Sequence, residues 1–491
     1  MPFYKMATDQ EYEIVVGLEV HTRLLTKSKL FCADSSVFGE EPNTNISPIT
    51  LAHPGTLPKM NKEAIAFALK LGLACHSEIE KQNYFARKNY FYPDLPKGYQ
   101  VSQHTTPICK GGFVTIKTGS GTKDIQLNRI HMEEDAGKSL HDVFADETAL
   151  DYNRAGVPLL EIVTEPDLRS ADEAYAYLTE LRKLVRYLEI CDGNMEEGSL
   201  RCDANVSVRK KGDDKLGTKV EVKNLNSIRN VKTAIEYEAA RLISLLKKDE
   251  IIQQQTRSFD AANGTTFAIR DKEDADDYRY FPEPDLTPFD LTEDFIRSIK
   301  KTLPALQQER VKKYVSVYQL NAYDSTALTE EKDFSDYFEQ LVQSNSEIAI
   351  KPKSAANWML GPVKTWLNEK NKNIGELPVS PGKLSRLIKL VEVNKLSFSA
   401  ASSKILPLLI EDPETDPLEQ ARKMNLIMES NSDYILPIAD AVLLQFEDKV
   451  KEYRKGKKGL LALFVGEVIK RSNGKADPKV VNEILNQKLN S

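Results

Sequence analysis

At 491 residues the chain is too long for a single hydrophobic core, and we expect two to four domains. Hydrophobic residues make up 41% and charged residues 29% of the sequence, as in ordinary globular proteins. The net charge of -6 excludes a wholly basic nucleic-acid binder but allows a local basic patch.

Cysteine usage and hydropathy predict a cytoplasmic protein. The cysteines form no C-x-x-C pair, which argues against both a zinc knuckle and a disulfide framework. Reduced thiols of this kind are typical of the cytosol. We find no apolar run near the ~18 residues of a membrane span, and residues 1–13 lack the apolar core of a signal peptide. We therefore expect no membrane association.

The first predicted strand covers residues 12–24 and alternates from Leu18 onward. Glu19 and His21 stand on one side of it about 6.5 Å apart, so they could ligate the same metal ion or adjacent ions. The polar outer face of an edge strand explains the same pattern equally well. Apolar spacing then predicts a helix over residues 61–76.

A loop-rich segment follows at residues 87–103, where two prolines and a glycine interrupt the pattern. Its interleaved basic and aromatic side chains could stack on or hold a nucleotide. A packed surface loop is the commoner use of such a mixture, and both interpretations stay open.

Residues 126–139 read Q-L-N-R-I-H-M-E-E-D-A-G-K-S and place three carboxylates in a row, at Glu133, Glu134 and Asp135. In a cleft these charges would repel one another unless a cation were bound, and a hard ion such as Mg²⁺ would suit them. On the surface the same run would be a solvated turn. The closing G-K-S is not a phosphate-binding loop, because the position that requires glycine is Met132.

Glu161 is the most informative single acid, since it lies between Leu160 and Ile162 in an apolar run. A bare buried carboxylate is costly, so this one should be paired, metal-bound or protonated. A helix should follow from Ser170, which forms a capping box pattern with Glu173.

Two further strands are predicted at residues 200–208 and 219–223. Asp203 lies on the polar face of the first and Glu221 on the polar face of the second, so pairing of the strands would bring both acids to one surface. Ser227 should then cap a long amphipathic helix.

Residues 276–286 form an acid- and aromatic-rich loop, and after about Asp290 strand-like alternation gives way to helix-length segments. A shift in charge follows near residue 408. We therefore predict three domains, at residues 1–293, 294–407 and 408–491.

The charge shift separates an acidic segment from a basic tail. Residues 408–448 carry ten acids and two bases, whereas residues 449–491 carry eleven bases and four acids. Phosphate contact would explain the basic run, and a solvated charged face would explain it about as well. Six of the bases precede a predicted apolar helix at residues 460–469, and they are Lys449, Lys451, Arg454, Lys455, Lys457 and Lys458.

Oxygen-rich acid sets of this kind hold Mg²⁺, which clamps phosphate oxygens during phosphoryl transfer. We find no serine-nucleophile elbow, no Cys–His nucleophile pair and no dinucleotide-binding fingerprint. The dispersed acid and histidine set of the N-terminal part is Glu19, His21, Glu133, Glu134, Glu161, Asp203 and Glu221.

Seven ordered motifs resemble those of the B subunit of the aspartyl/glutamyl-tRNA amidotransferases. The similarity runs essentially end to end and includes the basic tail, and we see no departure from the family pattern within the motifs. They are G-L-E-V-H (17–21), R-K-N-Y-F-Y-P-D (87–94), H-M-E-E-D-A-G-K (131–138), N-R-A-G-V-P-L-L-E-I-V (153–163), M-E-E-G-S-L-R-C-D-A-N (195–205), K-N-L-N-S (223–227) and D-D-Y-R-Y-F-P-E-P-D (276–285).

The resemblance implies an α+β N-terminal cradle domain with a largely antiparallel sheet, followed by all-α helical and tail domains. It implies a three-subunit ligase in which a glutaminase, the A subunit, releases ammonia, while a small C subunit wraps the other two. The B subunit would use ATP and Mg²⁺ to phosphorylate the side-chain carboxylate of Glu on tRNA(Gln) or Asp on tRNA(Asn). Ammonia would then displace the phosphate, while the tail holds the misacylated tRNA.

Carried across motif by motif, the resemblance also implies the site. We expect Glu133, Glu134 and Glu161 to act in catalysis and the six tail bases to bind tRNA, not DNA; the ATP contacts are not identified. The implied metal ligands are Glu19, His21, Glu134, Glu161, Asp203 and Glu221.

Two other classes of function compete with this interpretation. A stand-alone metal-dependent phosphohydrolase would explain the acids but not the basic tail. A non-catalytic tRNA-binding scaffold would explain the tail but not Glu161. The sequence leaves open whether Glu-tRNA, Asp-tRNA or both are used.

Overall fold

The computed structural model describes residues 11–141, 143–271, 278–343, 349–428, 431–472 and 474–490. The chain divides into two compact units, Met1–Pro304 and Ala305–Ser491. The first unit combines a sheet with a few helices and the second is helical. This confirms the predicted fold class, α+β followed by all-α.

The strands all lie in the first unit of the described chain. They are β1 (Tyr12–Arg23), β2 (Glu78–Ile79), β3 (Gln82–Asn83), β4 (Ala86–Asn89), β5 (Tyr99–Ser102), β6 (Cys109–Lys110), β7 (Phe113–Thr118), β8 (Gly121–Glu134), β9 (Lys138–Leu140), β10 (Ala149–Asp151), β11 (Pro158–Thr164), β12 (Leu200–Lys210), β13 (Val220–Leu225), β14 (Gln255–Asp260), β15 (Thr265–Asp271), β16 (Phe281–Pro282) and β17 (Phe289–Asp290).

One 13-stranded sheet dominates the unit, with the order β15-β14-β13-β12-β1-β11-β8-β5-β4-β16 and with β2, β6 and β7 joined at its side. Its pairs are antiparallel except for β13 with β14, which run parallel. The short pairs β9–β10 and β3–β17 stand apart from it. The sheet is therefore largely antiparallel, as the family resemblance implied.

Strand β1 is the middle of this sheet, between β11 and β12. Leu18, Val20 and Thr22 are buried on one of its sides, while Glu19 and His21 are half-buried on the other. The alternation matches the predicted one, because successive side chains of a strand point to opposite faces. An edge position for this strand is excluded, so its polar face is not an ordinary solvated edge.

The helices of the first unit are α1 (Lys62–Ala74), α2 (Ala171–Tyr187), α3 (Ile228–Lys247) and α4 (Glu293–Lys301). Helices α2 and α3 pack against each other, and α3 also packs on β12, β13 and β15. Ser170 and Ser227 cap them as predicted, each accepting a hydrogen bond from the backbone N–H three residues on. The carboxylate of Glu173 does not complete a reciprocal box, because it accepts from the N–H of Arg169 instead.

The last strand ends at Asp290, and described elements after it are helical, as the sequence indicated. Those of the second unit are α5 (Gln307–Ser316), α6 (Ala322–Leu328), α7 (Lys332–Gln343), α8 (Pro352–Trp358), α9 (Lys364–Lys370), α10 (Pro381–Glu392), α11 (Phe398–Ala400), α12 (Leu406–Glu411), α13 (Pro417–Lys423), α14 (Ser432–Gln445), α15 (Glu447–Arg454), α16 (Leu461–Arg471) and α17 (Pro478–Asn490), with π-helical turns at Met359–Val363 and Ala401–Ile405 and 3-10 turns at Ile374–Glu376 and Lys458–Leu460.

In its described residues, the second unit contains two separate clusters of buried apolar side chains. One runs from Tyr314 to Ala421 and includes the fully buried Trp358, and the other runs from Ile435 to Leu489. Helix α4 belongs to the first compact unit, which ends at Pro304. We retain the three-domain division as a proposal, supported by the two cores of the helical part. Every helix in the described residues is too short or too polar to cross a lipid bilayer.

Candidate active site

Strand pairing places polar residues of four neighbouring strands, β12, β1, β11 and β8, on one face of the large sheet. Glu19 on β1 is directly opposite Asp203 on β12, and His21 is opposite Glu161 on β11. Glu161 is in turn opposite His131 on β8. Directly opposed residues of antiparallel strands point to the same face about 4.5–5.5 Å apart, so this register lines up acids from distant parts of the chain.

The first group of possible metal ligands is His21, Glu133 and Glu161, whose ligand atoms all lie within 4.8 Å of one another. Nε2 of His21 is 3.4 Å from Oε1 of Glu133 and 3.8 Å from Oε2 of Glu161. Glu161 is thus paired, which is one of the three states that its place in an apolar run allowed.

His131 is the buried partner that sequence reasoning did not assign. Its Nε2 lies 2.9 Å from Oε2 of Glu161 and 3.7 Å from Oε2 of Glu133. Burial opposes a charge on this imidazole, but the two carboxylates outweigh it and raise the pKa of His131 to about 9. Burial likewise opposes the charge on Glu161, and His131 overcomes it and lowers the pKa of that carboxyl.

The second group is Glu19, Asp203 and Glu221, also within 4.8 Å of one another. Strands β12 and β13 pair with each other, with Asn205 opposite Glu221, and this pairing brings Asp203 and Glu221 to one surface. The amide of Asn205 donates to Oε1 of Glu19 at 2.9 Å, and the hydroxyl of Thr256 donates to Oε2 of Glu221 at 2.9 Å. These bonds orient the carboxylates toward a common point.

Both groups have the chemistry of a hard-cation site. Carboxylate oxygens are the protein ligands that Mg²⁺ prefers, and the second group consists of carboxylates alone. Glu19 and His21 belong to different groups, so the two side chains of β1 would serve adjacent positions. The residues present therefore fit the metal that the sequence predicted, at one or both positions.

Among the predicted catalytic residues and metal ligands, Glu134 is the one that the structure does not bring to the others. It faces the opposite side of β8 from Glu133, where it forms an ion pair with Lys97 and accepts the N–H of Val101 at 2.8 Å. It lines a different cavity, of about 230 Å³. Glu134 lies apart because successive side chains of a strand point to opposite faces. The sequence contained evidence for this placement, since Glu134 lies on the same side of β8 as the apolar, fully buried Met132.

A cleft of about 530 Å³ lies over both ligand groups. The rings of His104 and Tyr280 stack at its wall, with centroids 3.9 Å apart. Lys88 and Tyr90, from the segment whose composition suited a nucleotide, also line it. The cations of the cleft include Lys88, Arg129, Arg201 and Lys223, none of which the sequence analysis assigned to the site.

Period-two spacing could have found two of the missed residues, because Arg129, His131 and Glu133 occupy alternate positions of β8. The spacing does not show which cations reach the ligands. The aromatic motif at residues 276–285 lines the same cleft through Tyr278 and Tyr280, and its first two residues lie outside the described part of the chain.

Comparison with known proteins decides the family. Residues 14–297 match the model of the GatB/GatE catalytic domain, and residues 336–489 match that of the GatB domain. The chain is 45% identical over 475 residues to the B subunit of the aspartyl/glutamyl-tRNA(Asn/Gln) amidotransferase of Thermodesulfovibrio yellowstonii, spanning 97% of this chain and 98% of that one. It is 47% identical over 478 residues to the same subunit of Chlorobium phaeobacteroides, spanning 97% and 99%.

The chain belongs to this family of amidotransferase B subunits. Both ligand groups and the cleft lie within the segment that matches the catalytic domain. The resemblance inferred from seven motifs is thereby confirmed, whereas the roles of individual residues stay predictions.

The six predicted tRNA-binding residues lie in the second unit, and all are exposed. Lys449 and Lys457 each lie 3.1 Å from a carboxylate oxygen of Glu452, and Lys451 lies 3.6 Å from Asp448. The ammonium of Lys458 lies 4.1 Å from the ring centroid of Tyr453. The basic surface thus contains some local neutralisation, and it rests on the folded core that includes Tyr453 and Phe464.

Proposed function

We propose that this chain is the ATP-dependent subunit of a tRNA-dependent amidotransferase. It phosphorylates the side-chain carboxylate of Glu on tRNA(Gln), of Asp on tRNA(Asn), or of both. Ammonia delivered from a glutaminase subunit then displaces the phosphate and leaves the amide. The observation that carries the proposal is the pair of oxygen-rich groups side by side under one cation-lined cleft.

Mg²⁺ held by these groups would neutralise the charge of the transferring phosphoryl group and clamp its oxygens. His21, Glu133 and Glu161 would hold one ion, and Glu19, Asp203 and Glu221 a second. The choice of Glu133 over Glu134 follows from the face on which each lies. We therefore propose that Glu134 supports the fold through Lys97 and Val101.

The cations of the cleft supply positive charge where a triphosphate and a carboxylate must approach each other. Both reactants are anions, so the wall that holds them needs compensating charge. Arg201 is braced by Asp135, whose oxygen lies 3.0 Å from the guanidinium, and this contact fixes the direction of its remaining donors. Lys88 lines the cleft from β4, which lies between β5 and the edge strand β16.

The partners follow from the reaction. A carboxylate becomes a good electrophile once phosphorylated, and ammonia is the nucleophile that converts it to the amide. Since the sequence shows no nucleophile that could release ammonia from glutamine, we propose that the ammonia comes from another subunit. The chain's proposed assembly partners are the glutaminase (A) and small (C) subunits, and its proposed substrate is misacylated tRNA. We place the complex in the cytoplasm, where free thiols are stable. The free cysteines are Cys32, Cys75, Cys109, Cys191 and Cys202.

One assay separates the proposal from its two competitors. The full-length chain, given ATP, Mg²⁺ and ammonium, should consume ATP only when Glu-tRNA(Gln) or Asp-tRNA(Asn) is present, and should form some amidated product. A phosphohydrolase would consume ATP without tRNA, and a scaffold would not consume it at all. Glutamine should not replace ammonium, so glutaminase activity from this chain alone would overturn the proposed division of labour.

The tail prediction concerns salt dependence. Replacing Lys455, Lys457 and Lys458 by Ala should weaken tRNA binding and flatten the slope of log affinity against log salt by roughly two, because each phosphate contact releases counterions. Binding is measured at several salt concentrations. Single-turnover amidation at saturating tRNA should change little, since the substituted residues lie outside the catalytic-domain match.

A double substitution of Lys370 and Lys372 by Ala serves as the matched control, since both are exposed lysines of the same helical unit. It should leave the slope unchanged. The tail would be only a solvated charged face if the tail variant also kept the original slope.

A further inference from the structure

Lys223 occupies the place that a second cation would take. Its Nζ lies 2.6 Å from Oδ2 of Asp203 and 3.2 Å from Oε1 of Glu221, two of the three carboxylates of the second ligand group. Glu221 and Lys223 are two residues apart on β13, so both point to the face of the sheet that carries the site. The ammonium therefore sits among the oxygens proposed as metal ligands.

Two of the three carboxylates have hydrogen-bond partners other than Lys223, whereas Asp203 accepts its hydrogen bond from Lys223 itself. Asn205 holds Glu19 and Thr256 holds Glu221, each through a hydrogen bond of 2.9 Å. Lys223 is by contrast able to move, since a flexible four-carbon chain carries its charge and its side chain is 36% exposed. Removing the ammonium would leave Glu19 and Glu221 held in place and would release Asp203, with one positive charge fewer in the group.

Electrostatics keep the ammonium charged. Burial opposes the charge, but Asp203 and Glu221 outweigh it and raise the pKa of Lys223 above its usual range. An ammonium and a divalent ion bound to the same carboxylates lie only a few Å apart and repel each other, because Mg²⁺ binds carboxylate oxygens at about 2.0–2.1 Å and the ammonium already lies 2.6 Å from Asp203. Binding of the divalent ion therefore favours displacement of the ammonium.

We propose that Lys223 is a built-in counter-cation. A divalent ion displaces its ammonium on binding Glu19, Asp203 and Glu221. The displaced ammonium then contacts a phosphate of the nucleotide that binds in the cleft. The inference rests on the proposed function and adds an order of events to it. A bound phosphate would form an ion pair with the displaced ammonium of Lys223. The nucleotide and the divalent ion at Glu19, Asp203 and Glu221 therefore favour each other's binding. This coupling is reciprocal by thermodynamic necessity.

Binding of Mn²⁺, followed by electron paramagnetic resonance on the full-length chain, tests the proposal without turnover. Lys223→Met keeps most of the side-chain length and removes the charge. It should raise the affinity of the second site at least about tenfold, the scale on which one neighbouring charge shifts a carboxylate equilibrium. A non-hydrolysable ATP analogue should strengthen Mn²⁺ binding at that site in the wild type, and less so in Lys223→Met.

Three further variants test whether the change in Mn²⁺ affinity comes from the charge of Lys223 and from the second ligand group. Lys223→Arg retains the charge and should behave more like the wild type than Lys223→Met does. Lys97→Met removes a lysine that pairs with Glu134 outside both ligand groups, and should leave Mn²⁺ affinity unchanged. Asp203→Asn should weaken the site whose affinity changed in Lys223→Met.

The outcomes are distinct. Equal Mn²⁺ affinity in wild type and Lys223→Met would overturn the inference while leaving the proposed function in place. Failure of the wild type to bind Mn²⁺ at either group, with or without the nucleotide analogue, would instead remove the metal site on which the proposed function depends. Thermal stability gives a second readout. Without metal, Lys223→Met should have a lower melting temperature than the wild type, and added Mn²⁺ should raise its melting temperature by more. Equal gains in the two proteins would count against the displacement.

Discussion

Glu161→Gln is expected to reduce ATP-dependent phosphorylation of Glu-tRNA(Gln) by at least about 100-fold, because a charge-neutralising clamp on a phosphoryl group contributes several kcal/mol. The substitution keeps the shape of the side chain and removes the charge that pairs with His131 and His21. Glu133→Gln should have an effect of the same order, since it belongs to the same ligand group. Single-turnover phosphorylation at saturating ATP and tRNA is the measurement.

Glu165→Gln is the matched control, because this half-buried acid follows the same strand and accepts a hydrogen bond from Asn128 that glutamine can also accept. Its rate should stay near that of the wild type. Glu134→Gln separates the two faces of β8, and should lower thermal stability through the loss of its ion pair with Lys97 while leaving Mn²⁺ affinity unchanged. A loss below about tenfold in Glu161→Gln would count heavily against the assignment.

Glu238→Ala is expected to destabilise the first unit by about 3–5 kcal/mol, because it removes one partner of a buried charge network. Glu238 on α3 is fully buried. It accepts hydrogen bonds from Arg241 at 2.7 and 2.9 Å, from Arg257 at 3.0 Å and from the hydroxyl of Thr266. The network joins α3 to β14 and β15, and β14 carries the Thr256 that holds Glu221.

Glu236→Ala on the same helix is the control, since Glu236 is exposed and its Oε1 lies 3.9 Å from the ammonium of Lys232. Its effect should stay within about 0.5 kcal/mol. Both tryptophans, Trp358 and Trp366, lie in the second unit, so tryptophan fluorescence does not report directly on the substituted region. Hydrogen exchange of β12–β15 during urea titration does, and equal protection in the two variants would contradict the prediction.

The sequence by itself determined the family, the fold class and the faces of the main strands. Alternation on β1 and on β12 placed Glu19, His21 and Asp203 on polar sides, because strand side chains alternate regardless of what surrounds them. The caps at Ser170 and Ser227 were equally local, since the capping bond spans only three residues. The loss of alternation after Asp290 marked the end of the sheet.

Only the tertiary structure decided which acids meet. Alternation separates Glu133 from Glu134, but the strand order β12-β1-β11-β8 determines that Glu133 shares a site with His21 and Glu161. The contact of Lys223 with Asp203 likewise depends on the register of two strands joined across a bulge. Such contacts are set by hydrogen-bond pairing between distant segments, which local propensity and spacing do not specify.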